Sequence, residues 1–124
     1  NNNQIIKINR FITDAEVSYL YRNASCVVYP YISATQSGVL SLAYYFQTPL
    51  IATKVDFFKE NIIAENTGLL CMPHDIDSLC NCLNVIIDKT FDRKRMQTNQ
   101  QNYYTNSYSS AQLMKELETI YSQR

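Results

Sequence analysis

Short apolar runs alternate with longer segments of helical periodicity through most of this chain, and that alternation limits the fold more than any other feature. Residues 26–29 are apolar and end at Pro30, residues 69–72 are apolar and end at Pro73, and a third such run covers residues 50–53. Runs that stay apolar without alternating are typical of strands buried on both faces of a parallel sheet. The sequence therefore predicts an α/β fold with an open parallel sheet and flanking helices.

Capping residues and apolar spacing predict the helices and turns between these runs. Thr13 and Asp14 are N-cap candidates for a helix that continues to residue 21, and a second helix should cover residues 38–46. Gly68 should supply the positive φ of the turn before the last strand, and Asp75 should cap a long helix. Spacings of three and four predict that one face of this helix is buried: Ile76, Leu79, Cys80, Leu83, Ile86 and Ile87.

The two ends of the chain depart from this pattern. Residues 5–8 form a short apolar run that predicts a first strand, whereas the composition beyond residue 90 shifts to Gln, Asn, Ser and Tyr. We predict a truncated α/β domain over residues 1–90 and a mobile helix-loop-helix tail over residues 91–124, with its loop in the polar stretch 97–108. Because the chain begins with Asn1 instead of Met and enters an apolar run almost at once, we expect it to be part of a longer protein.

Charge and cysteine content exclude several classes of function. The 11 Lys and Arg residues balance 11 Asp and Glu residues, and no basic stripe occurs, so we predict no nucleic-acid partner. The sequence has no apolar run of about 20 residues and no apolar leader, which predicts a cytoplasmic protein. The cysteine spacing favours core filling in a reducing compartment over a disulfide framework or a metal site. The cysteines are Cys26, Cys71, Cys80 and Cys82.

The loop after residues 26–29 is the strongest candidate for a binding site. Ligands of open parallel sheets collect beyond the carboxyl ends of the strands, and this loop places hydroxyl and amide side chains at the start of a helix. The unpaired N–H groups and the dipole of a helix start favour a phosphate or another anion. The alternative is that Ser37 only caps the helix while Gly38 only eases the turn. The candidate ligands are Ser33, Thr35, Gln36, Ser37 and Gly38.

Several short motifs follow one another in fixed order and spacing over roughly residues 5–88. They are Asp14-Ala15-Glu16-Val17, Tyr21, Val27-Val28-Tyr29-Pro30, Gly38-Val39 with Leu42-Ala43, Thr48-Pro49-Leu50-Ile51-Ala52-Thr53, Asn66-Thr67-Gly68-Leu69-Leu70 and Asp75. Together they resemble the C-terminal, donor-binding domain of GT-B glycosyltransferases of family 4 (group 1). The resemblance implies a Rossmann-like fold that binds a nucleoside diphosphate sugar at the helix beginning near Gly38.

The chain also departs from that family's pattern. The family usually carries two glutamates across this loop and helix, and here those positions hold Ala34 and Leu42. Asp56 and Phe57 stand where a glycine pair is usual. The loop is similar to a variant found in some bacterial members. That similarity implies that its hydroxyl and amide side chains bind the pyrophosphate or the sugar as neutral hydrogen-bond donors.

Two residues outside this loop complete the predicted donor site. Arg10 is placed to reach a phosphate, and Phe11 lies where the family's backbone meets the nucleobase; the alternative for Arg10 is a solvated side chain beside a turn. His74 is expected in a turn, and the family keeps its catalytic base in another domain, so we assign no catalytic residue. Asp75 and Asp77 complement a helix dipole, so we predict no metal, and we predict no cofactor.

The resemblance implies the donor-binding part of a retaining glycosyltransferase. It would move a hexose or N-acetylhexosamine from a nucleoside diphosphate, expected to be UDP, to a glycan or lipid-linked acceptor in bacterial surface polysaccharide (O-antigen) synthesis. We expect the acceptor to bind through another domain, the chain alone to be inactive, and the parent protein to be cytoplasmic or peripheral to the inner membrane. A non-catalytic receiver-like or regulatory module and a GT-B-fold sugar-nucleotide epimerase stay open as alternatives.

The shortened domain leaves strand edges to cover. Compared with the family, two βα units are absent, so residues 5–8 should pair directly with residues 26–29, or two chains should exchange elements in a domain-swapped homodimer. The tyrosines of the tail are expected to contact a domain outside this chain or a membrane surface. They are Tyr103, Tyr104, Tyr108 and Tyr121.

Overall fold

Helices and strands alternate along the chain, as the apolar runs predict. A computed structural model describes residues 5–32 and 38–107. The elements are α1 (Asp14–Asn23), β1 (Val27–Tyr29), α2 (Gly38–Tyr45), β2 (Leu50–Thr53), α3 (Asp56–Asn61), β3 (Leu69–Cys71), α4 (Ile76–Ile87) and α5 (Arg93–Ser107).

The three strands form one parallel sheet in the order β1-β2-β3. Val27 pairs with Leu50 in the register of β1 and β2, and Ile51 pairs with Leu69 in that of β2 and β3. All four residues of the central strand β2 are buried. This confirms the predicted α/β class with an open parallel sheet and flanking helices.

The two faces of the sheet carry separate apolar clusters. Leu50 and Ala52 point into a cluster with α2 and α3, whereas Ile51, between them, points into a cluster with α4 and α5. This alternation follows from the two-residue period of a strand. The first cluster contains Tyr29, Leu40, Ala43, Tyr44, Leu50, Ala52, Phe58 and Ile62, and the second contains Ile51, Leu69, Cys71, Ile86 and Met96.

The predicted first strand is wrong. Residues 5–8 have no strand structure, and the Ile6 side chain is 82% exposed. A strand needs a neighbour for its backbone N–H and C=O groups, and residues 5–8 do not pair with β1, so that prediction is wrong as well. The exchange of elements between two chains stays a prediction.

The buried face of α4 is narrower than its apolar spacing predicts. Leu79, Cys82, Leu83 and Ile86 pack on the sheet side, but Ile76 is 77% exposed and Ile87 is 74% exposed. Twelve helical residues span about 18 Å, whereas the three residues of β3 span about 10 Å. The two ends of α4 therefore extend past the strand that they were expected to cover, and Cys80 is exposed instead of filling the core.

The polar stretch predicted as a mobile loop is helical as far as Ser107. Its Gln100 side chain is fully buried, and Gln100 Nε2 donates to the carbonyl oxygens of Thr48 at 2.7 Å and Thr67 at 3.1 Å. Tyr103 packs on Tyr44 with ring centroids 5.0 Å apart. Helix α5 thus packs on α2 of the same chain, so a role for Tyr103 and Tyr104 against another domain is not what the structure shows. Tyr108, Tyr121 and the stripe beyond Ser107 lie outside the described residues.

Helix α5 also binds the loop before every strand. Arg93 donates to the carbonyl oxygens of Ala24 and Ser25, which precede β1, at 2.8 and 2.6 Å. Gln97 and Gln100 bind carbonyls before β2, and Asn99 and Gln100 bind carbonyls before β3. Six carbonyl oxygens at the amino edge of the sheet accept these bonds: Ala24, Ser25, Gln47, Thr48, Asn66 and Thr67.

Gly68 serves a different purpose from the one predicted. Its φ is not positive, so the turn does not need a left-handed residue there. An added Cβ would lie 2.7 Å from both Cγ and Cδ1 of Leu50 and 3.2 Å from Cγ2 of Ile62. Glycine is required because the start of β3 approaches the buried Leu50 side chain too closely for any other residue.

Candidate functional site

The carboxyl edge of the sheet, where a ligand of a parallel sheet is expected, begins at the ends of β1 and β2. Thr53 is the last residue of β2 and is buried, with 6% of its surface exposed. Its Oγ1 donates to the Tyr31 carbonyl oxygen at 2.5 Å and lies 3.5 Å from the Tyr29 carbonyl oxygen. The chain that leaves β1 is therefore fastened to the end of the neighbouring strand.

The first turn of α2 is held by two hydroxyl groups. Tyr29 Oη donates to the Val39 carbonyl oxygen at 2.7 Å, and Ser41 Oγ donates to the Gly38 carbonyl oxygen at 2.7 Å. Tyr29 also pairs with Tyr21 through hydroxyl oxygens 2.9 Å apart. Both anchors occupy carbonyl oxygens, and the backbone N–H groups of the first turn of a helix have no acceptor within the helix.

Electrostatics favour an anion at this helix start. Helix α2, like α5, has no acidic residue in its first turn, whereas α1, α3 and α4 each have at least one. Its residues 40–44 are all buried, which weakens solvent screening of the helix dipole. The positive end of α2 is thus not neutralised by a side chain of that turn.

Of the predicted loop ligands, only Gly38 falls in the described part of the chain, and it is the first residue of α2, as expected. Ser33, Thr35, Gln36 and Ser37 lie outside the described residues, as does Ala34. Leu42, where the resemblance places a glutamate, is 5% exposed within the packed face of α2. That position therefore offers the site no group that can accept a hydroxyl proton.

Arg10 forms an ion pair on the surface. Its Nη2 lies 2.6 Å from Glu16 Oε2, its Nη1 lies 3.0 Å from Glu16 Oε1, and Nη1 also donates to the Phe11 carbonyl oxygen at 2.9 Å. Glu16 closes a capping box with Thr13 at the start of α1. Hydrogen bonds from Arg10 and Thr13 lower the pKa of Glu16 from 4.5 to about 2. These bonds use three of the five N–H donors of Arg10, and two have no partner among the described residues.

An aromatic cluster beside the strand ends was not foreseen from the sequence. The rings of Tyr29 and Phe58 lie 5.9 Å apart, those of Tyr31 and Phe58 lie 5.5 Å apart, and those of Tyr29 and Tyr31 lie 6.1 Å apart. Phe58 is fully buried in α3, whereas Tyr31 is 40% exposed. The cluster supports the chain on its way from β1 into the candidate loop. In the sequence, this cluster could have been predicted from Tyr29 and Tyr31, which flank Pro30.

Asp56 keeps a backbone geometry that usually belongs to glycine. Its φ is 39°, in the left-handed region, at the position where the resemblance expects a glycine pair. A non-glycine residue there costs of the order of 1 kcal/mol. The turn after β2 therefore places a left-handed residue at this position without using glycine.

The remaining polar candidates have structural roles. His74 lies in a turn with φ 59°, as expected, and Asp75 caps α4 by accepting from the Ser78 N–H at 3.0 Å. Within the described ranges, no three His, Cys, Asp or Glu side chains come together as metal ligands would. Among the helices described, none has the length and apolarity to span a bilayer.

Comparison with known proteins agrees with this geometry. The sequence pattern of the family described as glycosyl transferases group 1 matches residues 1–103. The structure is similar to sucrose-phosphate synthase from Thermosynechococcus elongatus, with a TM-score of 0.66 and 27% sequence identity. The match covers 85% of this chain and 27% of the synthase chain, so the chain corresponds to part of a GT-B enzyme. A search of curated proteins found no match. On the family match over most of its length, the chain belongs to the group 1 glycosyltransferases.

Proposed function

We propose that this chain binds the sugar donor in a retaining glycosyltransferase that uses a UDP-linked hexose or N-acetylhexosamine. The acceptor would be a glycan or lipid-linked glycan in bacterial surface polysaccharide synthesis, such as O-antigen assembly. Another domain would bind the acceptor and supply the catalytic base, in a protein that is cytoplasmic or peripheral to the inner membrane. Transfer from a nucleotide sugar in general follows from the family, and the finer assignments are the proposal.

One observation carries the proposal. At the carboxyl edge of the sheet, buried hydroxyl groups donate to the carbonyl oxygens of the first turn of α2. No acidic residue of that turn neutralises its N–H groups and its positive dipole end. A diphosphate supplies the negative charge and the acceptor oxygens that such a helix start favours.

The loop before α2 would add neutral donors. Ser33, Thr35, Gln36 and Ser37 would bind phosphate or sugar oxygens, together with the Gly38 N–H. Donors aimed at the leaving diphosphate stabilise the charge that develops on it as the bond to the sugar breaks. The two N–H groups of Arg10 that have no partner among the described residues would approach the same phosphates, and Phe11, whose side chain is 59% exposed, would lie near the nucleobase.

Calorimetry of the full-length protein with UDP tests this assignment. Gln36→Ala should weaken UDP binding by about 10- to 150-fold, because a hydrogen bond to a charged group contributes roughly 1.5–3 kcal/mol. Gln101→Ala is the matched control, since Gln101 is exposed on α5 at the other side of the domain. Equal affinity in the wild type and Gln36→Ala would remove this loop from the donor site.

Product analysis separates the proposal from epimerisation. With a UDP-sugar labelled in the sugar, the full-length protein should give labelled glycan and free UDP, and the isolated chain should give neither. Formation of an epimeric UDP-sugar would identify an epimerase instead.

A further inference from the structure

The Gln100 side chain is buried where α5 crosses the loops before β2 and β3. No part of the residue is exposed, and its Nε2 donates to the carbonyl oxygens of Thr48 at 2.7 Å and Thr67 at 3.1 Å. The Oε1 of the same amide is buried as well, and it has no hydrogen-bond partner in the described part of the chain. One half of this buried amide is therefore satisfied, and the other half is not.

The two acceptors fix the orientation of the amide. Turning the amide by 180° would exchange Oε1 and Nε2, and such an exchange is the first explanation to test for an unsatisfied glutamine. Here it would place Oε1 against the carbonyl oxygens of Thr48 and Thr67, so that acceptors face acceptors and both bonds are lost. Oε1 therefore points away from these carbonyls and needs a donor of its own.

The two threonines beside the amide have no hydroxyl proton left to give. Thr48 Oγ1 donates to the Tyr21 carbonyl oxygen at 2.8 Å. Tyr44 Oη donates to the Asn61 carbonyl oxygen at 2.7 Å, so the proton in its 2.9 Å bond with Thr67 Oγ1 comes from Thr67. The backbone N–H groups of both threonines donate to carbonyls of preceding residues. The donor for the amide oxygen must therefore come from elsewhere.

We propose that Gln100 Oε1 binds a buried water molecule at the amino edge of the sheet. A buried acceptor without a donor is costly, because folding has removed its bonds to solvent and has given it none in return. Water is the donor that such atoms commonly take, and folded proteins bury about one water for every 27 residues. Immobilising one water costs less than leaving a buried amide oxygen unsatisfied.

The same network offers the water a second partner. A buried water is held by two to four polar groups. The carbonyl oxygens of Thr48 and Thr67 have two lone pairs each, and Gln100 Nε2 uses one of each pair. The water would donate one proton to Gln100 Oε1 and the other to one of these carbonyl oxygens. It would thus add a second link between α5 and the loops that α5 fastens.

This water site is separate from the proposed donor site. It lies at the amino edge of the sheet, whereas the donor is proposed to bind at the carboxyl edge, so the inference does not rest on the proposed function. Because Gln100 is enclosed by the protein, the water would exchange with solvent only when α5 moves away from the loops. It should therefore behave as a long-lived internal water.

A crystal structure of the full-length protein, at a resolution that shows ordered water, tests the site directly. A water oxygen should lie about 2.5–3.0 Å from Gln100 Oε1, the distance of an O–H···O bond. Two results would overturn the proposal: Oε1 that contacts only carbon atoms, or a donor from a residue beyond Ser107 that is bound to Oε1 in place of water.

Magnetic relaxation dispersion, which counts long-lived internal waters in solution, provides the second test. Gln100→Met keeps a long unbranched side chain but removes the amide, so it should lower the count in the full-length protein by about one water. Gln101→Met, at the exposed neighbouring position, is the matched control and should leave the count unchanged. An equal count in the wild type and Gln100→Met would refute the site. If Gln100→Met does not fold, the crystal structure of the wild type decides.

Discussion

The two edges of the sheet are both fastened by side chains that bind backbone carbonyl oxygens, but the side chains come from different directions. At the amino edge, α5 lies outside the loops and binds six of their carbonyls. At the carboxyl edge, Tyr29 and Thr53 belong to the strands themselves and reach the loop from the inside.

The two edges therefore differ in role: the amino edge contributes to stability, and the carboxyl edge is the proposed binding site. The helix that fastens the amino edge occupies six carbonyl oxygens of these loops and packs on the buried Thr48 and Thr67. At the carboxyl edge, the anchors bind the carbonyl oxygens of Tyr31, Gly38 and Val39, and the first N–H groups of α2 have no acceptor within the helix. Under the proposed function, one edge of this sheet holds the fold together and the other binds the diphosphate of the donor.

The largest expected effect comes from Gln100, at the covered edge. Gln100→Ala leaves the carbonyls of Thr48 and Thr67 without donors and should lower the free energy of unfolding by about 3 kcal/mol. Urea denaturation measures the loss. Gln101→Ala, its exposed neighbour, should change stability by less than about 0.5 kcal/mol. Similar losses in the two variants would mean that α5 does not fasten this edge.

Gly68 tests the close packing of the same edge. Gly68→Ala places a Cβ 2.7 Å from Leu50 Cγ and should destabilise the fold by about 2 kcal/mol, because overpacking forces neighbours to move. Adding Leu50→Val should recover part of this loss in a double-mutant cycle measured by thermal unfolding. Simple additivity of the two substitutions would argue that the clash with Leu50 is not the cause.

Substitutions of two buried threonines, one at each edge, compare the edges directly. Thr53 at the carboxyl edge donates to Tyr31 at 2.5 Å, and Thr48 at the amino edge donates to the Tyr21 carbonyl oxygen at 2.8 Å. Thr53→Val and Thr48→Val should each cost about 1 kcal/mol in urea denaturation. Only Thr53→Val should also weaken UDP binding. If Thr48→Val weakens it equally, the division of roles between the edges is wrong.

The smallest effect belongs to the exposed pair of Arg10 and Glu16. Because the folded pKa of Glu16 is about 2 against an ordinary 4.5, its contribution to stability is complete above pH 4.5 and is lost as the pH falls through 2. In an NMR titration, Arg10→Gln should raise the pKa of Glu16, and the control Lys7→Gln should not change it. An unaltered pKa in Arg10→Gln would show that Thr13 alone lowers it.

The sequence predicts the strands of this fold well because each buried strand is apolar throughout. Residues 50–53, for example, coincide with β2. The run at residues 5–8 is equally apolar, but a strand also requires a partner, and no pattern within one segment shows whether a partner exists. The cap at Thr13 and the cap at Asp75 are local interactions and were predicted correctly.

Helix α5 could not be predicted because, in contrast to residues 5–8, it has partners in the fold but a polar sequence. Its residues 97–107 are polar, which is typical of a loop, and a buried glutamine looks the same in sequence as an exposed one. Only the carbonyls of distant loops explain why Gln100 is buried. In the candidate site, the start of α2 at Gly38 was predicted from its motif, whereas the anchoring roles of Tyr29 and Thr53 depend on contacts between separate βα units.

The bonds from α5 also determine when this domain can finish folding during synthesis. The carbonyls bound by Arg93 lie 68 and 69 residues earlier in the chain, and those bound by Gln100 lie 52 and 33 residues earlier. A nascent chain that ends after α4 has all three strands but exposes six carbonyls at one edge. The sheet therefore gains these bonds only after the last helix has left the ribosome.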